Sequence, residues 1–246
     1  MVQSILLVHG SFHNAECWDH LAPHLEECGL EVHAITLGGH RGNPRPAAEV
    51  NMQTYGQDVI DCAMRLSAPP LLIGHSMGGL VISQAAERQP DLFSAMIYLA
   101  AFVPTPGRVS AMDLAPISEG MMVALAGELR TNPSEVVSFP KDAARDVFYN
   151  GCSPNLQDEA LARLSPQPLA ASVDSVETSR ARLGSVRKHY IECLRDQALP
   201  LTSQRTMQAN ADFDSIRALD SDHSPFFSMP GELADAIAKI ALESAK

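Results

Sequence analysis

One serine in this chain has the spacing of a nucleophile. Gly74-His75-Ser76-Met77-Gly78 follows the apolar run Leu71-Leu72-Ile73 and precedes the helical-looking segment that starts at Leu80. The Gly-x-Ser-x-Gly spacing predicts a strained turn from strand to helix, which lifts the serine hydroxyl above the carboxyl end of a sheet. Small residues two positions to either side fit such a turn, because bulkier side chains would collide around the unfavourable serine backbone.

A serine hydroxyl is a poor nucleophile at neutral pH. It needs a base within hydrogen-bond reach, and the base needs a partner to fix its tautomer and stabilise its charged form. One known arrangement has the chain order serine, acid, histidine. Of nine histidines, only His189 and His223 follow Ser76. His189 falls inside the apolar stretch 186–194, where its side chain would point to a sheet face. His223 lies in Asp220-Ser221-Asp222-His223-Ser224-Pro225, a loop between a short strand and the last helix, and is the better base.

The acid should also sit at a strand end. The strand after the serine helix runs out into Ala100-Ala101-Phe102-Val103-Pro104, with no carboxylate, whereas the next ends at Arg195-Asp196. Asp196 is therefore the expected acid. Asp220 and Asp222 are close alternatives on the histidine loop, although aspartates there more commonly cap turns. Two backbone amides should face the developing oxyanion. Met77 supplies one and Ser11, in the loop His9-Gly10-Ser11-Phe12, supplies the other, with Gly10 permitting close approach. His9 is expected to brace that loop. His9 and His13, and likewise His20 and His24, are four apart but have no third ligand nearby or intervening Glu pattern, so neither a metal nor a cofactor is expected.

The elements that would position these groups alternate. Strand-like runs at 5–8, 31–37, 71–75, 95–100, 186–194 and 216–219 are separated by helical patterns, including one whose apolar positions Cys17, Trp18, Leu21, Leu25 and Cys28 span 15–28. This rhythm predicts right-handed crossovers and a mainly parallel sheet of about six strands, with helices on both faces. It breaks at Pro104-Thr105-Pro106-Gly107. From there the chain carries helical pieces at 112–130, 141–149 and 157–164 with little strand signal. The expected division is an α/β core of residues 1–104 and 185–246 with a mostly helical cap of residues 105–184, a length that points to a lid over a site. Arg108, Arg130 and Arg145 in the cap are expected to be solvated.

The 246 residues are enough to bury a large core. With 18 basic and 29 acidic residues, the net charge of −11 disfavours nucleic acid and anionic membranes as partners. No apolar run approaches a membrane span, the first residues lack a signal-peptide pattern, and five cysteines without a Cys-x-x-Cys pair indicate a reduced, cytoplasmic protein. A homodimer is compatible with this reading.

Taken together, Val8-His9-Gly10 through Trp18, Gly74-His75-Ser76-Met77-Gly78-Gly79, Leu99 to Pro104, Cys193-Leu194-Arg195-Asp196 and Asp222-His223 resemble the hydroxynitrile lyase and plant methylesterase branch of the α/β-hydrolase superfamily, and bacterial carboxylesterases similar to it. The resemblance implies Ser76 as nucleophile, Asp196 as acid, His223 as base and the Ser11 and Met77 amides as oxyanion hole. Lyases of this branch carry threonine where this chain has Gly10 and lysine where it has Ser224. Those departures favour ester hydrolysis over cyanohydrin cleavage. Cofactor-independent dioxygenation and a catalytically silent small-molecule-binding role exist on the same fold as alternatives. Gly10, Phe12, Phe102, Met121, Phe148 and Phe226 are the expected pocket residues, suited to a small or medium hydrophobic ester.

Overall fold

A computed structural model describes residues 2–131 and 135–244, with backbone only for 128–131. Four strands open the core: β1 (Ser4–Val8), β2 (Glu31–Ile35), β3 (Leu71–His75) and β4 (Ala95–Leu99). They join the strands Lys188–Cys193 and Ser215–Leu219 in one six-stranded sheet, in which every pairing is parallel. The spatial order is Ser215–Leu219, Lys188–Cys193, β4, β3, β1, β2. Every residue of β1, β3 and β4 is buried, which is why these segments read as continuous apolar runs instead of alternating ones.

The chain steps outward from β1 to β2, then returns to the other side of β1 to form β3. That reversal leaves a crevice outside the carboxyl ends of β1 and β3, where open α/β sheets bind ligands. Val8 pairs with Gly74 across this boundary, so the loop after β1 and the turn holding Ser76 leave the sheet side by side.

Helices cover both faces. On one, α1 (Ala22–Glu27) packs with the closing helix Pro230–Ser244 through Leu21, Leu25, Leu233, Ile237 and Ile240. On the other, α2 (Met52–Ala63) lies against α3 (Gly78–Arg88) through Tyr55, Val59, Leu80 and Val81. The N-terminus of α2 is fixed by a reciprocal cap, in which the Asn51 side chain accepts from the Thr54 amide and the Thr54 hydroxyl accepts from the Asn51 amide.

The single helix expected over 15–28 is instead a short 3-10 turn, Ala15–Trp18, followed by α1. Pro23 has no amide hydrogen to continue the ladder from the turn and can stand only at a helix start. Between β4 and the strand Lys188–Cys193, the helices Ala111–Leu114, Glu119–Thr131, Lys141–Val147, Pro154–Arg163 and Leu169–Val173 fill the inserted segment. The piece expected at 112–130 is broken by Pro116. The segment also contains two small antiparallel ladders that the sequence pattern did not reveal. Gly107–Ser110 pairs with Ser175–Thr178, and Val136–Val137 with Gln167–Pro168. Runs of two to four residues are too short to establish a period.

Arg108 is exposed and donates to the Ser175 hydroxyl, Arg145 pairs with Asp158, and the side chain of Arg130 lies outside the described residues. Among the described residues no helix is long and apolar enough to cross a membrane.

Candidate active site

Ser76 stands between β3 and α3 with φ at 55°, a left-handed conformation that costs energy for any residue with a Cβ. Backbone bonds from both sides hold it there. Its amide donates to the Leu99 carbonyl at 3.2 Å, and its carbonyl accepts from Gly79 at 3.0 Å and Phe102 at 3.1 Å. A Cβ at Gly74 would lie 2.5 Å from the Gly78 carbonyl oxygen, so only glycine lets the strand fold back onto α3. Ser76 is partly accessible between the buried His75 and Met77.

The two other expected members meet at the same end of the sheet. His223 Nδ1 and Asp196 Oδ2 are 2.7 Å apart, with both residues more than nine-tenths buried. A carboxylate only accepts, so Nδ1 carries the proton and Nε2 keeps a lone pair. Asp196 is itself oriented, because Oδ1 accepts from the amides of Ala198 at 2.7 Å and Leu199 at 2.8 Å while Gln204 Nε2 approaches Oδ2 at 3.3 Å. Next to Ser76, the His75 ring lies 4.5 Å from the His223 ring, and its Nε2 donates to the His223 carbonyl at 2.8 Å.

Neither alternative acid bonds to His223. Asp220 is exposed and pairs with Arg195 at 3.0 Å. Asp222 is fully buried and accepts from the Gly151 amide, the Cys152 thiol, the Ser224 amide and the Ser228 hydroxyl. His189 lies at the opposite end of the sheet, between the Ser215 and Ser244 hydroxyls.

The loop after β1 presses on the Ser76 turn so closely that a Cβ at Gly10 would lie 2.7 Å from Ser76 Cβ. The Ser11 hydroxyl donates to the Met77 sulfur at 3.2 Å, joining the two residues whose amides were expected to face an oxyanion. Among the described residues, neither of those amides donates to a protein acceptor. Phe12 carries a second left-handed backbone, with φ at 64°, and the inserted segment holds it from both sides. Its amide donates to Gln167 Oε1 at 3.4 Å and its carbonyl accepts from the Ser165 amide at 2.8 Å. His9 braces the base of the loop, donating from Nδ1 to the Gly10 carbonyl at 2.8 Å and accepting the Leu37 amide on Nε2 at 3.0 Å.

Residues 5–236 match the model of the alpha/beta hydrolase family. The chain belongs to that family. Methylesterase 7 of Arabidopsis thaliana is 30% identical over 252 residues, covering 97% of this chain and 96% of its own. A pyrethroid hydrolase of Sphingobium wenxiniae is 30% identical over 250 residues, covering 98% of this chain and 88% of its own. The solved structure of a pyrethroid hydrolase from Sphingobium faniae superposes with a TM-score of 0.85 at 30% identity over 98% of each chain.

In this α/β hydrolase the remaining expected pocket residues divide by position. Phe12 and Phe148 stack with ring centres 6.3 Å apart, and Phe148 lies 5.8 Å from the His223 ring. Phe102 follows the strand next to β3 and is nearly buried, while Met121 is half-buried against the same cluster as Phe148. Phe226 is fully buried, 4.8 Å from Trp18 and 4.9 Å from His75, and supports the His75 ring from inside the core.

Burial sets the electrostatics around these groups. It pushes the pKa of His75 and His9 well below the usual value and lowers that of His13 and of His40 to about 4, so all four are neutral near pH 7. His13 Nδ1 donates to the Ser11 carbonyl at 2.8 Å, which leaves Nε2 to accept the Tyr149 hydroxyl at 2.9 Å. His13 and His75 were not expected to bear on the site. Their sequence spacing carries no signal, because each works through a partner on another loop.

Proposed function

We propose that this α/β hydrolase is a serine carboxylesterase in which Ser76 is the nucleophile, His223 the base and Asp196 the orienting acid. The observation that carries the reading is the buried 2.7 Å bond between His223 and Asp196, at the sheet end where a serine is held at positive φ and the residue before it bonds to the His223 carbonyl. His223 Nε2 takes the Ser76 proton as the hydroxyl attacks the ester carbonyl. The Ser11 and Met77 amides receive the oxyanion, and His223 then protonates the leaving alkoxide. Water repeats the sequence on the acyl enzyme. The residues 105–184 act as the cap over this site.

The pocket takes a small to medium hydrophobic ester. Phe12, Phe102, Met121 and Phe148 support that reading, and so do relatives named as methylesterase and pyrethroid hydrolase. Cyanohydrin cleavage is disfavoured at both positions where the lyases differ. There is no room for a side chain at Gly10, and Ser224 is fully buried, so a lysine in its place would lose its hydration. The five unpaired cysteines support a reducing, cytoplasmic setting.

The reading is tested with a fluorophosphonate probe and with mandelonitrile offered beside an aryl ester. Labelling at Ser76 and hydrolysis of the aryl ester alone are expected. A protein that ignores the probe would be a binding protein, and one that releases cyanide would be a lyase.

A further inference from the structure

Three consecutive residues of the inserted segment each bond to a different loop at the carboxyl end of the sheet. The Tyr149 hydroxyl donates to His13, whose other ring nitrogen holds the Ser11 carbonyl. Asn150 Nδ2 donates to the Arg195 carbonyl at 3.1 Å, one residue before Asp196. The Gly151 amide donates to Asp222 Oδ2 at 2.9 Å, one residue before His223. We propose that Tyr149-Asn150-Gly151 is an alignment strap, a set of positioning residues that fixes the oxyanion loop, the acid loop and the base loop relative to one another.

The strap is rigid where it makes these bonds. Its turn is closed by the Cys152 amide donating to the Tyr149 carbonyl at 3.0 Å, and Gln157 Nε2 donates to the same carbonyl at 2.9 Å from the helix Pro154–Arg163. The Cys152 thiol adds a second donor toward Asp222 Oδ2 at 3.6 Å. The acid and base loops are also joined directly, through the Arg195 amide and the Ser221 carbonyl at 2.9 Å, and the strap adds the oxyanion loop to that pair. Tyr149 is fully buried, so its hydroxyl does not exchange His13 for water. Gly151 fits closely, since a Cβ there would stand 3.1 Å from the Asp222 carboxylate.

This role rests on the assignment of Ser76, His223 and Asp196 above. Small misplacements of reacting groups cost rate and not ground-state binding. The strap should therefore act on kcat and leave KM alone, which a purely structural role would not do.

The test compares the full chain with its Tyr149→Phe, Asn150→Ala and Ser76→Ala variants on a p-nitrophenyl ester, with kcat and KM separated and the melting curve recorded. Tyr149→Phe removes one oxygen, and Asn150 is exposed, so the second variant remains informative if the first fails to fold. The expected result is a kcat lowered about tenfold or more in Tyr149→Phe and several-fold in Asn150→Ala, with KM within about twofold. The rate of fluorophosphonate labelling should fall in proportion, because it needs the same oxyanion loop. Wild-type kcat per folded molecule in both variants overturns the strap while Ser76→Ala is inactive. If Ser76→Ala keeps its activity, the strap falls together with the assignment it rests on.

Discussion

His75 Nε2 donates to the carbonyl of His223 at 2.8 Å, so the residue before the proposed nucleophile holds the backbone of the proposed base. A carbonyl only accepts, so the His75 proton sits on Nε2. Nδ1 is buried without a partner among the described residues. The ring is therefore a neutral prop, and burial keeps it neutral.

Replacing that prop separates its donor from its shape. His75→Phe fills similar space without the hydrogen bond, and we expect kcat on a simple ester to fall about tenfold to a hundredfold with little change in KM. His75→Gln can still offer an amide donor and should recover part of the loss. Equal losses in both variants would mean that the ring matters only for packing.

Asp196 and Asp222 make a matched pair for a second experiment. Asp196→Asn places an amide against His223 and is expected to lower kcat by about four orders of magnitude with the fold intact. Asp222→Asn leaves the His223 partner in place but loses its two-sided acceptor role. It should lower stability by about 1–3 kcal/mol, with a smaller effect on kcat. Urea melts and initial rates distinguish the two, and the reverse pattern would move the acid to the histidine loop.

At Gly10 the close approach to Ser76 makes a sharp prediction. Gly10→Thr, the residue of the lyases this chain resembles, should displace the Ser76 turn, cost about 1–3 kcal/mol in stability and lower ester turnover without cyanide release from mandelonitrile. Normal ester turnover in the variant would show that the turn can give way.

Stability should fall as pH falls below about 6.5. His13 and His40 titrate near pH 4 in the folded chain, because burial disfavours their charged form. In the unfolded chain they bind protons nearer their ordinary value of about 6.5. Between those values the unfolded state carries more protons, so folding free energy is lost on acidification, on the order of 3 kcal/mol for each such histidine once pH is below 4. The midpoint of urea unfolding, followed from pH 7.5 to 4.5, should drop steadily. A flat profile would mean that these rings are solvated.

The chain order of Ser76, Asp196 and His223 was legible because each follows a strand, and strand ends can be read from apolar runs. The mainly parallel sheet of about six strands was legible for the same reason, whereas the order of its strands was not. Other features depend on contacts between distant positions. The strap bonds join residues 136, 45 and 71 apart in sequence, and no local period records such a pairing. The left-handed Phe12 was equally silent, since phenylalanine has no preference for that backbone and is held there by Gln167 and Ser165. Pro23 and Pro116 could have been read as breaks and were outweighed by the apolar spacing around them.

The role of Ser76 is tested by turnover of a p-nitrophenyl ester by the wild-type chain and by Ser76→Ala, with substrate binding measured in parallel. With Ser76 as nucleophile, the variant loses several orders of magnitude in kcat, shows no acyl-enzyme burst and still binds substrate. Wild-type turnover by Ser76→Ala would contradict that role.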